Sequence, residues 1–192
     1  MRRVVLAMAT SVDGFVSTED GAIDWIFPHI DDEVEQSIVD YVGETDTHLI
    51  GRVNFLEQEG YWPTAPDVQA PLLNKVEKVV FSSTLKEVSW ANSRIAEHDV
   101  ATEIDRLRRR PGRDILVSGG ARFAGSVVEQ GLVDLFRLMV YPVALGAGIP
   151  LFTTHVPLRL VASRTFGTGA ASLIYRPDRP DGPDRPGGGP PG

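Results

Sequence analysis

Ile115-Leu116-Val117-Ser118-Gly119-Gly120 is a short apolar run that ends on a hydroxyl residue and two glycines. Three consecutive apolar residues suit a strand buried on both faces, as in parallel sheets. Beyond the glycines, Phe123, Ala124, Val127 and Val128 recur at helical spacing, and Gly131 supplies a stop. The stretch reads strand, tight turn, helix. A helix N-terminus offers unpaired N–H groups and partial positive charge, and glycine lets an anion approach with no Cβ in the way. The same residues serve equally as a plain strand-to-helix turn. Two sharper nucleotide motifs are absent. Gly120 and Gly125 have P-loop spacing, but Ser126-Val127 stands where a Lys-Ser/Thr pair is needed. No G-x-G-x-x-G follows the first strand.

Upstream lie two comparable junctions. Residues 47–50 predict a strand, and Gly51-Arg52 opens a helix through Glu59. Residues 63–71 hold three prolines and read as a loop. Residues 78–82 predict a strand that runs into the polar turn Ser82-Ser83-Thr84. In a parallel sheet all three turns fall at the carboxyl edge, where ligands bind. Asp99 or Thr102 can cap a helix that reaches about Arg110 and is stopped by Pro111-Gly112.

Toward the N-terminus, residues 4–10 form an apolar strand bounded by Ser11-Val12-Asp13-Gly14, with 15–17 as a short extension. Residues 31–42 predict a helix with Asp31, Asp32 and Glu33 in its first turn. Toward the other end, 133–144 is almost wholly apolar, as for a central strand, and 158–166 with 171–176 form a hairpin. Strands and helices alternate from 45 to 131, with extra strands at both ends. That pattern predicts an α/β fold: a mixed, mostly parallel sheet flanked by helices, with an antiparallel C-terminal hairpin. Residues 177–192 carry six of the 14 prolines and five of the 19 glycines. They read as a disordered tail outside one domain of residues 1–176.

Composition narrows the function. The chain has 192 residues, 42% hydrophobic and 23% charged, the make-up of an ordinary globular domain. With no cysteine there is no thiolate metal site, disulfide or cysteine nucleophile. The net charge of −7 argues against nucleic acid. The basic run Arg106, Arg108, Arg109 and Arg110 closes a helix, where cations suit the dipole. No stretch approaches the roughly 20 apolar residues of a membrane span, and residues 1–10 read as a first strand rather than a signal peptide. The expected location is the cytoplasm. His29, His48, His98 and His155 are scattered without metal-ligand spacing, so no metal is expected. No G-x-S-x-G elbow occurs. Hydride transfer is compatible with this sparseness, because the cofactor carries the chemistry.

Several segments together resemble a known family. They are Ser11-Val12-Asp13-Gly14-Phe15, Ile50-Gly51-Arg52-Val53, Val80-Phe81-Ser82-Ser83 and Ile115 to Gly120. Gly131 to Leu138, Tyr141 to Gly146 and Gly148 to Phe152 follow in the same order. The chain resembles the dihydrofolate-reductase-like superfamily, and within it the reductase (C-terminal) domain of bifunctional riboflavin-biosynthesis proteins, over roughly residues 3–176.

The resemblance implies an NADPH-dependent oxidoreductase, similar to dihydrofolate reductase or 5-amino-6-(5-phosphoribosylamino)uracil reductase, and a homodimer. It places the pyrophosphate at Gly119, Gly120, Ala121, Arg122 and Phe123. The 2′-phosphate falls near Gly51, Arg52, Ser82 and Ser83, and the nicotinamide near Ala9, Thr10 and the Asp13-Gly14 turn. Asp32 is a counterpart of the carboxylate that holds a pteridine, with Asp31 and Glu33 equally available. No basic cluster for a ribose phosphate stands near Asp13 or Trp25. Trp25 can stack on a planar substrate or serve as a core aromatic. The expected activity is reduction of a small heterocyclic (pterin- or pyrimidine-like) or carbonyl/imine substrate, with Asp13 or Asp32 orienting it or relaying a proton. The alternative is a non-catalytic nucleotide- or flavin-binding protein of the same fold.

Overall fold

The computed structural model describes residues 1–178. Its strands are β1 (Val4–Thr10), β2 (Phe15–Ser17), β3 (Thr45–Gly51), β4 (Glu77–Phe81), β5 (Ser93–Ile95), β6 (Asp114–Ser118), β7 (Leu135–Val140), β8 (Ile149–Pro150), β9 (Leu158–Thr165) and β10 (Ala171–Pro177). The helices are α1 (Asp32–Gly43), α2 (Arg52–Glu59), α3 (Ala70–Lys75), α4 (Val100–Arg109) and α5 (Ala121–Glu129), with a 3-10 helix at Asp24–His29.

One eight-stranded sheet runs in the order β5-β4-β3-β6-β1-β7-β10-β9. Pairing is parallel from β5 through β7 and antiparallel at β7-β10 and β10-β9. β2 and β8 form a separate antiparallel pair. This is the expected mixed, mostly parallel sheet with its C-terminal hairpin. Alternation along β1 divides the core. Val4, Leu6 and Met8 pack with Ile104, Leu107 and Val127 of α4 and α5, while Ala9 joins Val34 and Ile38 of α1 on the other face.

Four local expectations needed correction. Residues 63–71 read as a loop, but Ala70 begins α3. Pro71 sits in its first turn, where the missing N–H is not needed. The short strands β5 and β8 were not foreseen, being too brief to show a period. The expected strand 133–144 contracts to Leu135–Val140. At its start Asp134 spends its carboxylate on Val4 N–H (2.8 Å) and Arg108 (2.6 Å); at its end Tyr141-Pro142 turns away. Finally, β10 includes Pro177, and Asp178 N–H donates to Pro157 O at 2.8 Å. The remainder of the expected tail, residues 179–192, lies outside the described residues.

The amino edge of the sheet is held by ion pairs. Buried Arg2 pairs with Asp46 and donates to Thr47 Oγ1, and Arg3 pairs with Asp114. Arg106, Arg108 and Arg110 pair with Glu97, Asp134 and Glu77, so three of the four arginines in the basic run at the end of α4 are paired; Arg109 is exposed. Lys78 is fully buried. Its Nζ donates to Leu73 O (2.7 Å) and Asn74 O (3.3 Å) at the end of α3 and sits 4.2 Å from the Trp90 ring centre. Burial lowers its pKa to about 8.

Leu6 is fully buried at the centre of the larger cluster. Leu6→Ala is expected to cost about 2–5 kcal/mol of unfolding free energy. Chemical denaturation measures it, and a loss below about 0.5 kcal/mol would show that this cluster is not the core.

Candidate functional site

β3, β4 and β6 end on Gly51, Phe81 and Ser118, and their parallel pairing brings these ends to one edge. Gly119 and Gly120 have φ of +67° and +65°, the left-handed region, and Gly120 is the N-cap of α5. No side chain caps α5 or α2, whereas Asp31 caps α1 and Asp99 caps α4. Asp99 accepts from both the amide and the hydroxyl of Thr102, so the two residues proposed as alternative caps act together. The first-turn N–H groups of α2 and α5 thus stay open at the carboxyl edge. Arg52 and Arg122, in those first turns, are exposed and make no ion pair or hydrogen bond among the described residues.

The two helix starts touch. A Cβ on Gly51 would lie 2.9 Å from Phe123 Cβ, and Phe123 stacks on Phe81 with ring centres 5.0 Å apart. A Cβ on Gly119 would land on the Asn54 carboxamide, whose Oδ1 accepts from Gln58 Nε2 at 2.7 Å. Gly119 is therefore required twice, by backbone angle and by Asn54. Ser82 Oγ accepts from the amides of Thr84 (3.1 Å) and Leu85 (2.9 Å) and so shapes its own turn; Ser83 is exposed.

Behind the glycine turn stands His48, one of the scattered histidines. It is buried, with Nε2 2.9 Å from Ser118 Oγ and 3.4 Å from Ser118 O. Burial, reinforced by the nearby Lys78 charge and partly offset by the Ser118 bond, lowers its pKa to about 4. It is neutral at pH 7 and fixes Ser118 at the head of the turn. A lone histidine in an apolar strand was the available signal. Its partner became visible only once β3 was seen to neighbour β6.

Farther along the edge, buried Thr10 accepts at its carbonyl from Tyr141 N–H (2.8 Å), and half-buried Ala9 faces α1. Asp13 is exposed. Its carboxylate accepts from Ser11 Oγ (2.5 Å), Gly146 N–H (2.8 Å) and Leu145 N–H (3.2 Å), which hold its pKa below the ordinary value. It clasps the 145–146 loop to the β1–β2 turn, where Gly14 has φ of +86°. Of the three acids in the first turn of α1, Asp31 caps, Glu33 pairs with Arg164, and Asp32 is exposed without a partner among the described residues. Trp25 is half-buried in the 3-10 helix, edge-on to Tyr141 at 6.0 Å. A cavity of about 70 Å³ lies between α1 and the sheet, lined by Ala9, Ile38, Tyr41, Arg137 and Tyr141 among others. The sequence reading missed Asn54 and Arg137. Arg137, a lone charge inside an apolar strand, carried the clearer signal.

Comparison with known proteins shows the family and the fold. Residues 2–172 match the RibD C-terminal domain. The chain belongs to that family. It is 35% identical to the uncharacterized protein YyaP of Bacillus subtilis, covering 91% of this chain and 94% of that one. It is 28% identical to the riboflavin biosynthesis protein RibD of Corynebacterium ammoniagenes, covering 88% of this chain but 51% of that longer protein. The fold matches a putative riboflavin biosynthesis protein from Shewanella sp. PV-4, with TM-score 0.76, 18% identity and coverage of 92% and 99%. The chain is thus a member of a reductase-like family, and the expected resemblance and fold are both found. Among the described residues, no helix is long and apolar enough to cross a membrane.

His48 titrates lower in the folded chain than its ordinary value near 6.5. The unfolded chain then binds the extra proton between pH 6.5 and 4. Its contribution to stability is complete above pH 6.5 and is lost as pH falls toward 4, at about 1.4 kcal/mol per pH unit in mid-window. His48→Gln should flatten the pH dependence of the denaturation midpoint in that window. An unchanged slope would show that His48 is not held neutral.

Proposed function

We propose that this chain is an NADPH-dependent reductase that transfers hydride to a small heterocyclic (pterin- or pyrimidine-like) or carbonyl/imine substrate. The observation that carries the reading is the carboxyl edge. Two uncapped helix N-termini converge there, each led by glycine and each bearing an arginine without a partner among the described residues, in a member of the RibD C-terminal domain family.

The residues fit a dinucleotide phosphate chain. The open amides of Ala121, Arg122 and Phe123, with Gly119 and Gly120, suit a pyrophosphate. The Asn54 carboxamide over Gly119 adds a side-chain donor. Arg52, beside Gly51 and the Ser82-Ser83 turn, suits a 2′-phosphate. The bound dinucleotide supplies the hydride from its dihydronicotinamide ring. The chain's own residues position and enclose. Ala9 and Thr10 give a small-residue floor at the end of β1. Asp13 holds the 145–146 loop beside it. Trp25 and Tyr141 provide aromatic surface for a planar substrate. Asp32, exposed and unengaged, is available to relay a proton through water.

A second reading, binding of a nucleotide or flavin without turnover, is favoured by one observation: no carboxylate or histidine lines the cavity beside Ala9. Loss of NADPH absorbance across a panel of pterins, pyrimidines, flavins and quinones separates the two. NADPH binding with no oxidation by any of them would select the second.

The reading includes a homodimer in the cytoplasm. Its support is the edge strand β9, where Leu160 and Val161 are 50% and 47% exposed. Uncovered edges of this kind invite pairing with another chain. Light scattering should give twice the 20.9 kDa chain mass, and a monomer at micromolar concentration would remove the dimer from the account.

Substitutions at the free arginines test the cofactor. A charge-assisted bond from Arg52 to the 2′-phosphate predicts that Arg52→Ala weakens NADPH by roughly 10- to 150-fold and leaves NADH nearly unchanged. Arg122→Ala, next to the pyrophosphate, should weaken both cofactors alike. Equal weakening of both by Arg52→Ala would reject the 2′-phosphate role. Gly119→Val is a poorer probe, because its backbone angle and Asn54 would disturb the fold regardless of any ligand.

A further inference from the structure

The cavity beneath α1 has polar walls made by Ser37, Tyr41, Arg137, Tyr141 and Ser172. Its volume of about 70 Å³ can hold a few waters or one small polar group. Most of these residues are half-buried, so it reaches solvent. Arg137 rises from β7 onto its floor. Arg137 Nη2 donates to Glu44 at 2.5 Å, and the guanidinium lies 6.0 Å from the Tyr41 ring centre. Arg137 Nε is enclosed and has no acceptor among the described residues. Trp25 Nε1, outside the lining on the indole that packs edge-on against Tyr141, is likewise buried with no acceptor among the described residues. A guanidinium keeps its charge at any pH the protein meets, and enclosed donors left unpaired are costly.

None of the acids of α1, Asp32 and Glu35 included, lines the cavity. Asp31 is bound to Val34 N–H, Glu33 to Arg164, and Asp40 to Gln36. Glu44 serves Arg137 from outside the cavity lining. Burial raises the pKa of Tyr41 to about 12 and that of Tyr141 upward as well, so both hydroxyls remain neutral donors at physiological pH. The lining therefore offers hydroxyls, which can donate or accept, and the Arg137 guanidinium, held by Glu44 from outside, with no carboxylate to receive a cationic amino group.

We infer that Arg137 is a specificity-determining residue, and that the cavity takes a carboxylate or oxo group of the substrate while rejecting an amino or amidino group in the same place. The inference rests on the reductase reading only in making this group part of the molecule reduced beside Ala9. A cationic amino or amidino group there would meet the guanidinium with like charge and find no carboxylate in the lining, the type of mismatch that discriminates between ligands.

Benzoate and benzamidine, which share a ring and differ in the polarity of the head group, are suitable probes. Each is titrated into the full chain, with and without NADPH, while the Arg137 Nε–H resonance is followed by NMR. Benzoate should bind roughly 10-fold or more tighter than benzamidine and shift that resonance. Arg137→Met should abolish the preference and leave NADPH affinity unchanged. Benzamidine binding as well as benzoate, neither probe binding, or benzoate preference surviving in Arg137→Met would each overturn the inference. If Arg137→Met does not fold, the wild-type comparison and the Nε–H shift still decide it. Failure of NADPH to bind, with benzoate preference intact, would defeat the reductase reading and leave the acceptor site standing.

Discussion

Parallel pairing of β6 with β1 on one side and β3 on the other sets the rest of this molecule in place. Strands that run the same way must all end at the same edge, and the helices α2 and α5 that follow β3 and β6 must begin there. Whatever those helix starts lack becomes a property of that edge. Both lack side-chain caps, and both carry an exposed arginine with no partner among the described residues. At the opposite edge Arg2, Arg3 and Arg108 are all committed to aspartates. The acidic chain thus holds its amino edge together with its own charge pairs and leaves two arginines and two uncapped helix starts at the carboxyl edge.

The glycine turn depends on groups on both of its sides. His48 fixes Ser118 from within the sheet, and Asn54 occupies the space that Gly119 leaves from outside. Phe123 locks the start of α5 against Gly51 and Phe81. These contacts hold the open amides in one geometry before any ligand arrives, which is the condition for binding an anion without a large ordering cost. On the other side of β1 the sheet surface changes character. Small residues, Ala7, Ala9 and Ser172, leave room under α1, and Arg137 gives that room its polarity.

Much of the fold was legible because its periods are local. The apolar runs 4–10 and 115–117, the stripe of α5 and the Gly51-Arg52 junction each announce an element within ten residues. What stayed hidden was either too short to have a period, as in β5 and β8, or masked by composition, as in α3, where Pro71 suggested a loop but sits in a first helical turn. At the site, the glycines and Arg52 stood out in the sequence as candidates for phosphate binding, and the structure brings them to one edge. His48, Asn54 and Arg137 were not, because each acquires its meaning from a partner on another element, and strand order is not written in any single segment. Asp13 shows the converse. It was expected to orient the substrate or relay a proton, and the structure ties its carboxylate to the loop at 145–146.

Amide chemical shifts on addition of NADPH test the central claim most directly, because they report where the dinucleotide lies and are independent of any substrate. The account predicts the largest changes at Gly119, Gly120, Arg122 and Phe123, with a second group at Arg52 and Val53 and smaller ones at Ala9 and Gly14. Saturable shifts confined to the hairpin of β9 and β10 or to the amino edge, with the glycine turn silent, would contradict it.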